Sequence, residues 1–177
     1  MAIPTRTASQ PVERTDRVCL KPDGPPTGYV DGAWWPGSRA LPTELVPLLA
    51  MLTARLGRVE RVTYNLTIWE PAPRRLALDG RVVRLGGFRS QPADTVTVIG
   101  RGGQQRLTLL VIPPGTDPAT AERVLARASQ PGNAETIETL LAPTRVAGTG
   151  AGIGGSNGSS SAVQRWESDG GRLRDRA

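Results

Sequence analysis

The sequence predicts an α+β fold: a mainly antiparallel β-sheet of about five to six strands, with one helix in the N-terminal half and one or two C-terminal helices packed on one face. Three observations predict it. Leucines between 41 and 56 recur with the period of an amphipathic helix, apolar residues from 59 to 112 recur with period two, and the helical period returns after Pro113-Pro114. Sequential strands joined by short turns argue for antiparallel neighbours.

The elements follow in order. Arg17-Val-Cys-Leu20 is a short apolar strand, followed by a Pro/Gly-rich loop over 21–28. In Tyr29–Pro36, Asp31-Gly32 reads as a turn between β-favouring neighbours. Leu41, Leu45, Leu48, Leu49, Leu52 and Leu56 form one helical face, Gly57 ends it, and Pro47 pushes its regular start toward 43–46. Val62, Tyr64, Leu66 and Ile68 alternate with Thr63, Asn65, Thr67 and Trp69, the pattern of a half-buried strand. Asp79-Gly80 joins Arg74–Leu78 to Arg81–Leu85 as a two-residue hairpin. Thr95–Ile99 and Arg106–Ile112 form a second pair, and the apolar run 109–112 marks a central strand. Asp117 as N-cap and Pro118 at the first helical position open a helix whose stripe is Ala121, Val124, Leu125 and Ala128, and a shorter helix follows at 134–141.

These elements define a single α+β domain over 17–143. Residues 1–16 read as a disordered N-terminal arm, and 144–177 as a Gly/Ser-rich linker with a disordered Arg-containing tail. Nothing at the N-terminus resembles a signal peptide, and no apolar run suits a membrane helix, so a cytoplasmic protein with no membrane partner is expected.

Composition restricts chemistry more than any motif adds to it. The chain has no histidine, and Cys19 and Lys21 are its sole cysteine and lysine. Serine–histidine and cysteine–histidine nucleophile systems, an imidazole base, a cysteine-rich metal centre and an internal disulfide are all excluded. No catalytic residue, metal site or cofactor is therefore assigned. Cys19 suits a buried inert thiol and Lys21 a surface position. Asp23, Asp31 and Glu70 lack the spacing of a carboxylate pair, and turn formation explains Asp23-Gly24 and Asp31-Gly32 equally well. Gly150–Gly155 matches GxGxxG but lies in the Gly/Ser linker with neither the strand nor the helix that a dinucleotide site needs.

The formal charge of +6 is unevenly placed: residues 71–106 carry seven arginines against Asp79 and Asp94, a local excess of +5. Within the hairpin, Arg75 faces Arg84, and directly opposed like charges are unfavourable unless an acid or an anion sits between them. Arg74, Arg75, Arg84 and Arg89, with Trp69 and Phe88 nearby, form the candidate nucleic-acid or anion-binding group. The plainer alternative is a solvated outer sheet face. Trp34-Trp35 is a candidate partner surface, because an extended pair points one indole inward and the other outward.

Three segments carry a resemblance: Val30-Asp-Gly-Ala-Trp-Trp-Pro36, Tyr64-Asn65-Leu66 with Trp69, and Arg84-Leu-Gly-Gly-Phe-Arg-Ser90. Over about 17–141 the chain resembles a family of uncharacterised actinobacterial proteins, a domain of unknown function. The resemblance implies a high-GC bacterial, cytoplasmic source and no known activity. The functional expectation is a non-enzymatic binding or regulatory module for a protein or an anionic partner. The alternatives are a nucleic-acid-binding protein using the arginine-rich 71–106 region and a small carboxylate- or metal-dependent enzyme.

Overall fold

A computed structural model describes residues 14–15 and 17–147. The remainder of the arm at 1–16, and the linker, GxGxxG match and tail beyond 147, lie outside the described residues. The strands are β1 (Arg14–Thr15), β2 (Val18–Leu20), β3 (Gly32–Trp34), β4 (Val59–Asn65), β5 (Arg75–Leu78), β6 (Arg81–Phe88), β7 (Thr95–Gly100) and β8 (Arg106–Val111). The helices are α1 (Leu41–Leu56), α2 (Pro118–Ala128) and α3 (Ile137–Ala147).

The strands form one sheet in the order β1-β2-β3-β8-β7-β4-β6-β5. Seven strands have three or more residues, and the two-residue β1 sits at one edge. The fold is α+β as expected, but the sheet is larger than five to six strands and it is mixed: β3 runs parallel to β8, and β4 parallel to β6. Both hairpins form as expected, with Asp79 (φ 50°) and Gly80 (φ 72°) in the left-handed region that a tight type I′ turn requires. The β4–β6 pair is parallel because β4 inserts between β6 and β7, and the β3–β8 pair because β8 lies between β7 and β3; short-range turn chemistry encodes neither neighbour choice.

The helices do not share one face. On β2, Val18 and Leu20 join the α1 leucines in one core, while Cys19 joins α2 and α3 in a second. Trp34 and Ala33 divide in the same way on β3, as do Leu109 and Leu110 on β8. Strands with continuous apolar runs are thus buried on both sides, and β2, β3 and β8 lie between α1 and the α2–α3 pair. The alternating strands β4, β6 and β7 give only one face to a core, the one under α1, through Val62, Tyr64, Val83, Leu85, Val96 and Val98.

Several boundaries differ from the periodicity reading for local reasons. Helix α1 begins at Leu41, with a proline in its first turn; the exposed Pro47 is tolerated inside it because six buried leucines anchor both sides. Strand β4 ends at Asn65, whose Oδ1 accepts from the Thr67 backbone N–H at 2.8 Å and from the Thr67 hydroxyl, folding 66–69 into a turn. Gly32 serves close packing inside the sheet: a Cβ there would stand 2.3 Å from the Cys19 carbonyl oxygen and 2.8 Å from Leu20 Cα. Helix α3 runs on to Ala147.

Candidate anion-binding sheet face

Because α2 and α3 cover only the β2-β3-β8 end, no helix among the described residues lies on the face of β5, β6, β4 and β7 opposite α1. The ladder places a continuous row of residues across it. Arg75 on β5 faces Arg84 on β6, Arg84 faces Arg61 on β4, Arg61 faces Ile99 on β7, and Ile99 faces Arg106 on β8. Side chains directly opposite one another point to the same face, so four arginines stand in one line broken only by Ile99. All four are exposed.

The ion pairs Arg55 with Asp23 and Arg127 with Glu135 lie elsewhere, and among the described residues none of the row's four arginines is ion-paired. Glu60, at its rim, accepts a hydrogen bond from the Gly102 backbone N–H at 3.3 Å. Two shallow grooves follow the row. One of about 530 Å³ is lined by Arg58, Arg61, Arg84 and Arg106 together with the Glu60 carboxylate, and one of about 310 Å³ by Arg61, Arg74, Arg75, Arg84, Gly86 and Phe88.

The next row carries Gly86, Thr63, Thr97 and Thr108, with the Thr97 and Thr108 hydroxyls 3.2 Å apart. Gly86 leaves space that Phe88 uses: the ring atoms Cε2 and Cζ lie 3.1 and 3.6 Å from where a Cβ on Gly86 would stand. Phe88 stays 48% exposed. On the opposite side of the strand Gly87 makes room for Leu66 and Tyr64, so the Tyr64–Leu66 and Gly86–Phe88 segments interlock across the β4–β6 ladder.

Of the sequence candidates, Arg74, Arg75, Arg84 and Phe88 come together here. Arg89 follows the last ladder position of β6 and lines neither groove. Trp69 does not belong to this face. The turn after Asn65 carries it under α1, where it is buried and stacks on Trp34 with centroids 5.4 Å apart and planes at 20°. Trp34 is likewise buried, which removes it from any partner surface; Trp35 is half-buried against the α2–α3 core with the Arg17 guanidinium 4.6 Å from its ring centroid. Arg61 and Arg106 are the members that sequence reasoning missed. Each has the outward parity of its strand, but only the β6-β4-β7-β8 neighbour order puts them in line.

The other chemistry-bearing residues are engaged in holding the fold. Lys21 is buried, not on the surface; its Nζ donates to the Thr27 and Asn133 carbonyls, each at 2.7 Å, tying the 21–28 loop to the α2–α3 connection. Burial lowers its pKa, and the nearby Asp31 carboxylate partly restores it. Cys19 is buried, as expected, and its thiol lies 2.9 Å from Ser129 Oγ. Asp23 pairs with Arg55, and Asp31 accepts from the Thr108 backbone N–H at 2.8 Å. Among the described residues no group of three or more Cys, Asp or Glu side chains is placed to hold a metal ion, and no helix is long and apolar enough to cross a membrane.

A family model, described as a family of unknown function (DUF5994), matches residues 17–128. The chain belongs to this family. The matched stretch runs from β2 through α2, so the family's domain includes the whole arginine row and the Trp34–Trp69 stack. No curated protein and no solved structure matches the chain.

Proposed function

We propose that this member of the family is a non-enzymatic binding module that holds a polyanionic partner on its uncovered sheet face, in the cytoplasm of a high-GC actinobacterial cell. The observation that carries the reading is the Arg75–Arg84–Arg61 alignment, extended by Arg106, with no carboxylate ion-paired to it among the described residues. Like charges in direct cross-strand register destabilise a free protein, and an anion laid along the row removes that penalty. The absence of histidine and the engagement of Lys21 and Cys19 inside the fold support binding over catalysis.

The test is binding of inorganic polyphosphate across a salt series. Four neutralised charges give a slope of log K against log salt of about −3. The combined R61Q, R75Q, R84Q and R106Q variant is expected to lose binding. A salt-independent interaction, or full binding by that variant, would show that this face is only solvated surface.

A further inference from the structure

Resting on that reading, we infer that the anion is a single strand of nucleic acid crossing the β-strands, with phosphates on the arginine row and a base against Phe88. The row alone would accept any polyanion, but its neighbours are more selective. Gly86 lies two residues from Arg84 along β6, about 6.6 Å. Phe88 leans back to that position with half its surface open. A nucleotide whose phosphate meets Arg84 and Arg61 thus reaches an aromatic ring with its base, while the Thr63 side chain borders the same spot. The groove of about 310 Å³ bounded by Arg61, Arg75, Arg84, Gly86 and Phe88 is at the small end of ligand sites.

Arg75, Arg84 and Arg61 occupy three adjacent strands about 4.8 Å apart, so the row, and a polyanion laid on it, runs across the sheet. A duplex is disfavoured because its bases are stacked away from Phe88 and, among the described residues, no helix lies on this face to enter a groove. A second copy of this protein is disfavoured as occupant because two such rows would repel.

The experiment is fluorescence anisotropy with a labelled twelve-nucleotide oligo-uridine, run beside polyphosphate and a duplex of equal length. Wild type, F88A, F88W and R84Q are compared. The inference expects F88A to weaken oligo-uridine binding about tenfold and leave polyphosphate binding unchanged, F88W to retain both, and R84Q to weaken both. The exposure of Phe88 keeps these variants clear of the core. Unchanged oligo-uridine binding in F88A, or an equal loss of oligo-uridine and polyphosphate, with R84Q still weakening both, would overturn the base contact and leave the anion reading standing. Tighter duplex binding would overturn the single-strand assignment. No binding of any probe by wild type would overturn both readings.

Discussion

Replacing Arg84 with glutamine should stabilise the free protein while weakening its binding, and the size of the gain should depend on salt. Arg84 stands directly between Arg75 and Arg61. Guanidinium groups splayed to about 7 Å in water repel by about 0.6 kcal/mol per pair, so two pairs give about 1.2 kcal/mol before screening. At 10 mM salt the screening length is about 30 Å and about 1 kcal/mol survives; near 0.15 M, with about 8 Å, about 0.5 kcal/mol; near 1 M almost none. For a domain of this size the low-salt gain corresponds to a rise in Tm of about 4 °C. The assay is thermal unfolding followed by circular dichroism at the three salt concentrations. R81Q is the control, since Arg81 lies on the same strand but faces Leu78. A low-salt loss of stability in R84Q, or a gain that salt does not change, would refute the claim that the row is electrostatically strained.

Four further variants probe the packing and the polar groups that hold the fold. G32A should destabilise by at least about 2 kcal/mol in urea unfolding, because the new Cβ would meet β2 backbone instead of a movable side chain. L49A, at a fully buried position under α1, should cost about 2–5 kcal/mol by the same assay. K21M should cost about 2 kcal/mol, since the Thr27 and Asn133 carbonyls lose their donor. Lys21 also has a pH signature: its folded-state pKa lies below the ordinary 10.5, so between the two values the unfolded chain binds more protons, and wild-type stability should rise relative to K21M as pH climbs through that window. D117A should weaken α2 and remove an acid-sensitive contribution. The bond from the Thr120 backbone N–H holds the Asp117 carboxyl below its usual range, so that stability is present at neutral pH and fades as pH falls through the folded-state value.

What the sequence discloses about this fold is bounded by the reach of local chemistry. The leucine stripe of α1, the Asp79-Gly80 hairpin and the Asp117-Pro118 helix start are written in neighbouring residues, and each forms where expected. The period of two also assigns Arg75 and Arg84 to one side of the sheet. It cannot say that β4 lies beside β6, so the line from Arg75 through Arg61 to Arg106 emerges only with the strand order. Trp69 shows the opposite failure: its spacing continues the β4 alternation, but the Asn65 side chain bonds back to Thr67 and turns the chain under α1. Lys21 was hidden for a third reason, since its carbonyl partners at 27 and 133 come from two separate loops.

The measurement that tests the central claim most directly is an amide chemical-shift titration of isotope-labelled protein with inorganic polyphosphate at low salt. The arginine-row account predicts saturable shifts grouped on Arg61, Thr63, Arg84, Gly86 and Thr97, with little change around Trp35 and the α2–α3 layer. Shifts centred on the Lys21 loop or on α2–α3, or no shifts at all, would contradict it.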